Sequence, residues 1–187
     1  MTADLTVLTA GYADDRVAST VTLILDADHV IVVDPGMVSA RSVILDPLLA
    51  RGIDVSSVTD VVLSHHHPDH TINIALFPHA RVHDFMATYV GDEWIDHDEG
   101  DFLVSPSVTM RAIPGHSDQD VSTLVTTSEG LVVLTHLWWT AEGPADDPFA
   151  SDRDQLRVAR AAILALAPVL IVPGHGPAFV PSGSTPL

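Results

Sequence analysis

The 187-residue chain has no cysteine, which excludes a disulfide framework, a thiol nucleophile and a thiolate metal site together. Lysine is missing too, so the positive charge rests on arginine: 8 basic residues face 25 acidic ones, for a formal net charge of −17. Such an acidic surface repels phosphate backbones and anionic lipid, so neither nucleic acid nor membrane is an expected partner and a small molecule is. No apolar run reaches bilayer length, and the longest, Ala161 to Val172, is interrupted by Pro168. The first fifteen residues lack the basic flank and apolar stretch of a secretory signal and already carry Asp4, Asp14 and Asp15. A cytoplasmic location is therefore expected.

What is present is enough for a core. With 47% hydrophobic and 18% charged residues, the chain reads as one globular domain over 1–187, with 181–187 as a loose tail. A homodimer is left open, since no heptad or exposed stripe indicates one. Short runs rich in Val, Ile, Leu and Thr, at Leu5–Thr9, Ser19–Leu25 and Val30–Val33, predict successive strands. Val38–Arg51 has helical spacing with Pro47 as an expected break, Thr59–Leu63 reads as a buried strand, and Thr71–Leu76 as a helix. Arg81–His83, Val108–Ile113, Ser122–Thr127, Leu131–Leu134 and Val169–Val172 predict further strands. An amphipathic helix capped by Ser151 or Asp152 is expected to stop before Pro168. The alternation predicts an α/β layered sandwich.

Four of the eleven histidines fall in Ser64-His65-His66-His67-Pro68-Asp69-His70, directly after the Thr59–Leu63 strand. At a strand end, residues i and i+2 point the same way, so His65 and His67 can converge on one ion. Asp69 and His70, after the turn at Pro68, can serve another. His66 is expected to face the opposite way. Three more histidines each follow an apolar strand: His116 after Pro114-Gly115, His136 after Thr135, and His175 within Pro173-Gly174-His175-Gly176. Loops at strand ends, held by a rigid sheet, are where site residues gather. Imidazole and carboxylate suit Zn²⁺ and other borderline ions. His29, His79, His83 and His97 lie outside this pattern: His29 is expected at a turn, and His83 and His97 on the surface or else lining the pocket. Trp94, Trp138, Trp139 and the loop Ala141–Phe149 could either wall a cleft or cap the core.

The order His65-x-His67-x-Asp69-His70, then Pro114-Gly115-His116, then Pro173-Gly174-His175-Gly176, resembles the metallo-β-lactamase superfamily, and Val32-Val33-Asp34-Pro35-Gly36 is similar to its early acidic motif. The resemblance implies a four-layer αββα sandwich with metals at one edge of the sheets. It implies that His65, His67 and His116 hold one ion and Asp69, His70 and His175 a second, with Asp34 as a support behind the ligands. Two zinc ions are implied, iron and manganese being alternatives. One departure stands out: His136 occupies the place where most dinuclear hydrolases of the superfamily carry a bridging Asp. It would bind one ion, alter the water geometry, or turn away.

The implied activity is hydrolysis of a small ester, thioester, lactone or lactam-like substrate by a metal-bound hydroxide, with Asp69 orienting the nucleophile and handling its proton. Subclasses that need a cysteine ligand are excluded, and nuclease branches fit poorly with a charge of −17. A glyoxalase-type thioesterase is disfavoured because twelve residues after His175 leave no room for a helical substrate-binding tail. Two rivals remain: a mononuclear iron dioxygenase on the same fold, whose expected carboxylate is replaced by His136, and a metal-binding member without catalysis.

Overall fold

The computed structural model describes residues 1–187. Its strands, in chain order, are β1 Asp4–Thr9, β2 Tyr12–Ala13, β3 Val17–Ala18, β4 Val21–Asp26, β5 His29–Val33, β6 Asp60–Val62, β7 Arg81–His83, β8 Ala87–Val90, β9 Glu93–Asp96, β10 Phe102–Ser105, β11 Val108–Ala112, β12 Val121–Thr127, β13 Gly130–Thr135 and β14 Leu170–Pro173. The helices are α1 Ser42–Ala50, α2 Pro68–Thr71 and α3 Arg153–Ala165. A seven-stranded sheet runs β1-β4-β5-β6-β7-β8-β9, a five-stranded sheet runs β10-β11-β12-β13-β14, and β2 and β3 form a small hairpin.

The alternation of side chains along each strand builds the layers. In β5, Ile31 and Val33 face the space between the two large sheets, while Val32 packs on the outer face with Ile44 and Leu48 of α1. In β13, Val132 and Leu134 point to the same inter-sheet core, while Val133 meets Leu156, Ala159 and Ile163 of α3 on the other outer face. A two-residue period on strands sandwiched between a partner sheet and a helix gives helix, sheet, sheet, helix, the expected αββα arrangement. The cap of α3 is Asp152, whose carboxylate accepts from the backbone N–H groups of Asp154 and Gln155.

Several local expectations are corrected. Pro47 does not break α1, which runs through it. The expected Thr71–Leu76 helix is the short α2 followed by a 3-10 turn at Ile74–Leu76. The strands β8, β9 and β10 and the β2–β3 hairpin escaped the sequence reading because each strand is only two to four residues long, and all four residues of β9 are exposed. The end of the chain, expected as a loose tail, folds back so that the indole Nε1 of buried Trp138 donates to the Pro186 carbonyl at 2.8 Å. No helix is long and apolar enough to cross a membrane.

β5 and β6 are parallel, β13 and β14 are parallel, and β11 runs with them through the antiparallel β12. The loops leaving the carboxyl ends of these strands carry Asp34, His65, His67, His116, His136 and His175 to one edge of the sandwich. Ligand sites of open α/β sheets form at such strand ends.

Candidate metal centre

All seven residues singled out for metal binding meet at that edge. His65 Nε2 lies 2.8 Å from His67 Nδ1, and His116 Nε2 lies 3.1 Å from the same atom. Asp69 Oδ2 is 3.4 Å from His70 Nε2 and 3.6 Å from His175 Nε2. His136 sits between the two groups, its Nε2 3.1 Å from His175 Nε2 and its ring centroid 4.1 Å from that of His116. One triad of ligand atoms is His65, His116 and His136, and another is His70, His136 and His175.

The neighbours behind the rings fix which nitrogen faces inward. Asp147 Oδ2 accepts from His116 Nδ1 at 2.7 Å, Asp34 Oδ2 from His70 Nδ1 at 2.9 Å, and the Ala18 carbonyl from His175 Nδ1 at 2.8 Å. Protons held on those Nδ1 atoms leave the Nε2 lone pairs pointing into the cluster. His70 Nε2 and His136 Nδ1 are buried with no hydrogen-bond partner. Orphaned buried nitrogens and lone pairs pressed against one another are costly unless a cation lies among them. The donor set is six imidazoles and one carboxylate, matched to a borderline divalent ion. The residues therefore fit the metal that the sequence implied.

Titration follows the same environment. Burial, reinforced by neighbouring imidazoles, pushes His65 and His136 well below the usual histidine range, keeping them neutral as ligands must be. Burial opposes charge on His70 too, but the carboxylates of Asp34 and Asp69 outweigh it and raise its pKa to about 9, so without an ion its Nε2 carries a proton that a bound cation would displace. Burial would raise Asp69, yet its contacts with His70 and His175 bring it down to about 2, so it is a carboxylate at neutral pH.

Local sequence explains the close packing. Asp34 adopts a left-handed φ of 52°, unfavourable for a non-glycine residue. Its Oδ1 accepts from the Ser64 N–H at 2.7 Å while Oδ2 holds His70, so the strain is offset by two buried bonds. A Cβ on Gly174 would collide with the His136 ring. The glycine of Pro173-Gly174-His175 is thus needed to let this loop lie against His136.

Among the other histidines, His66 faces away as expected, its Nε2 2.8 Å from Asp84 Oδ2. His83 is not on the surface but buried, with Nε2 bonded to Asp60 Oδ1 at 2.9 Å, and Asp60 also meets His29 and Arg81. Sequence reasoning missed Asp147 and Asp120. Asp120 accepts from the His116 and Ser117 backbone N–H groups and from the Ser117 hydroxyl. Neither belongs to a motif, and only the folded loops bring them to His116. The two tryptophans divide: Trp138 is a core residue, whereas Trp139 lines the cleft.

Five of the seven ligand residues, His67, Asp69, His116, His136 and His175, line a cleft of about 390 Å³, walled by Ala13, Val17, Pro68, Trp139 and Phe149. The rings of Trp139 and Phe149 stack with centroids 5.8 Å apart.

Comparison with known proteins agrees with this geometry. Residues 14–84 match the family model described as the metallo-beta-lactamase superfamily. The chain is 34% identical to metallo-beta-lactamase domain-containing protein 1 of Xenopus laevis, covering 92% of this chain and 79% of that protein. It is 37% identical to the Homo sapiens protein of the same name, over 80% of this chain and 59% of the relative. Among solved structures, an N-acyl homoserine lactone hydrolase with the product N-hexanoyl-L-homoserine bound at its catalytic metal centre superposes with a TM-score of 0.67 at 18% identity, over 93% of this chain and 92% of that one. The chain belongs to the metallo-β-lactamase superfamily.

Proposed function

We propose that the chain is a metal-dependent hydrolase of a small acyl substrate, an ester, thioester, lactone or lactam-like compound. The observation that carries this reading is the convergence of six imidazoles and Asp69, five of these residues lining an apolar-walled cleft. His65, His67 and His116 would hold one divalent ion, and Asp69, His70 and His175 a second. His136, lying between both triads, would serve as a ligand to one of them, and zinc suits the donor set best. When bound, such ions supply Lewis acidity, activating water and polarising the acyl oxygen.

The chain's own groups then position the reaction. Asp69 is ionised and its side chain is partly open to the cleft. A carboxylate with so low a proton affinity is a weak base, so its larger contribution is to orient the attacking water through an accepted hydrogen bond. Asp147, Asp34 and the Ala18 carbonyl hold His116, His70 and His175 in the tautomer that directs Nε2 inward. The Trp139–Phe149 wall excludes water from one side of the cleft. The lactone hydrolase that shares the fold carries an acyl product at its metal centre, which supports an acyl substrate here. The charge of −17 argues against nucleic acid.

The test compares Asp69→Ala with His66→Ala on zinc-loaded protein against a chromogenic ester, a lactone and a cephalosporin. Asp69→Ala should lose at least about a hundredfold in turnover while His66→Ala stays near wild type. Equal activities would refute the assignment, and oxygen uptake by the iron-loaded protein without hydrolysis would favour the dioxygenase reading.

A further inference from the structure

We propose that the cleft selects uncharged or cationic acyl groups over anionic ones, with Asp14 at its rim as the specificity-determining residue; this rests on the hydrolase reading above. The β2–β3 hairpin and its turn place Ala13, Asp14 and Val17 in the lining of the cleft. Asp14 is exposed at the turn, and its Oδ1 accepts from the Arg16 N–H at 3.1 Å, which fixes the carboxylate on this turn. Beyond the metal-facing residues, Asp14 is the one charged side chain of the lining; the rest is apolar.

No arginine lines the cleft, and the chain has no lysine. Arg16, on the same hairpin, lies with its guanidinium 5.5 Å over the Tyr12 ring. Arg153, at the start of α3, faces Asp146 at 3.6 Å. Arg160 is fully buried, donating to the carbonyls of Leu137, Ala145 and Pro144. A substrate that presents a carboxylate along its acyl arm would therefore meet Asp14 and apolar wall, with no guanidinium in the lining to pair it. An alkyl arm buries apolar area against Val17, Trp139 and Phe149, and an ammonium at its end meets the Asp14 carboxylate.

The experiment uses the zinc-loaded protein and three p-nitrophenyl esters of matched length, of hexanoic acid, of 6-aminohexanoic acid and of adipic acid as its monoester. The non-hydrolysable amides of the same three acids are titrated in parallel by tryptophan fluorescence. Wild type should handle the adipate compound at least about fivefold less well than the hexanoate, in kcat/KM and in affinity, with the amino compound equal or better, since a like charge near a rim costs about 1 kcal/mol. Asp14→Asn keeps the oxygen that accepts from Arg16 and should erase the discrimination, while Asp14→Arg should invert it, raising the adipate-to-hexanoate ratio of kcat/KM above one. Adipate handled as well as hexanoate by wild type, or charge-independent effects of both variants, would overturn the proposal. Should none of the esters turn over, the hydrolase reading fails, and the amide affinities decide the charge preference by themselves.

Discussion

Asp147 binds His116 through a 2.7 Å hydrogen bond between its Oδ2 and the imidazole Nδ1, and the same oxygen accepts from Trp139 Nε1 at 2.8 Å. One carboxylate thus ties a metal-facing ring to the wall of the cleft. Burial works against its charge, yet these two donors and the Phe149 N–H hold its pKa below the ordinary carboxylate value. Asp147→Asn has one acceptor oxygen where two are used, so either the Oδ2 donors or the Phe149 N–H loses its partner, and it removes the charge that holds the proton on His116 Nδ1. Zinc affinity, measured by competition with a chromogenic chelator, should fall about 10- to 100-fold while the far-ultraviolet circular dichroism is unchanged.

Asp34 has the equivalent place behind His70, with a structural duty added through the Ser64 N–H. Asp34→Asn can still accept from Ser64 and tolerates the left-handed backbone, but it offers one acceptor where two are needed. Zinc affinity should drop with little loss of stability. Asp34→Ala should in addition lower the unfolding free energy of metal-stripped protein by about 3 kcal/mol, because two buried donors lose their acceptor. Urea titration of both variants reads the difference.

Gly174 is the close-approach point between the last histidine loop and His136. Gly174→Ala should displace the His136 ring and the neighbouring His175. It should therefore weaken binding of one ion more than the other, visible as a split in isothermal titration with zinc where wild type and variant differ in a single step. A variant with the wild-type profile would show that His136 takes no part in holding metal.

Asp60 lies in a separate buried network away from the centre, with His83, His29, Thr59 and Arg81 around it. Burial raises its proton affinity, but these partners outweigh burial and bring the pKa from 3.8 down to about 2. A carboxylate depressed on folding stabilises the native state above its unfolded pKa, and the contribution fades as pH falls through the folded value. The stability difference between wild type and Asp60→Asn should be full, at about 2 kcal/mol, above pH about 5, and should shrink between pH about 4 and about 2. A difference that grows on acidification would contradict this assignment.

The main strands and the histidines at their ends were legible in the chain because they depend on local pattern, whereas the four-layer arrangement and the grouping of ligands came with the family resemblance. The alternation through Ile31, Val32 and Val33 announces a strand buried on both faces, and histidines at strand ends are placed by the sheet. What escaped depends on distant partners. Asp147 lies 31 residues from His116 in an irregular loop, and Asp60 turns His83 from a surface residue into a buried one. The adjacent Trp138 and Trp139 have the same chemistry, so only the fold sends one to the core and the other to the cleft. Pro47 misleads because, although it is the sixth of nine residues of α1, it removes a single hydrogen bond without ending a helix whose Ile44 and Leu48 are buried against the sheet.

The account rests on cations held among these seven side chains, and anomalous diffraction at the zinc edge from crystals of the zinc-loaded protein tests it most directly. It predicts two peaks at the sandwich edge, one among His65, His67 and His116 and one among Asp69, His70 and His175. An intact fold with anomalous density only on surface carboxylates, and none within the histidine cluster, would contradict it.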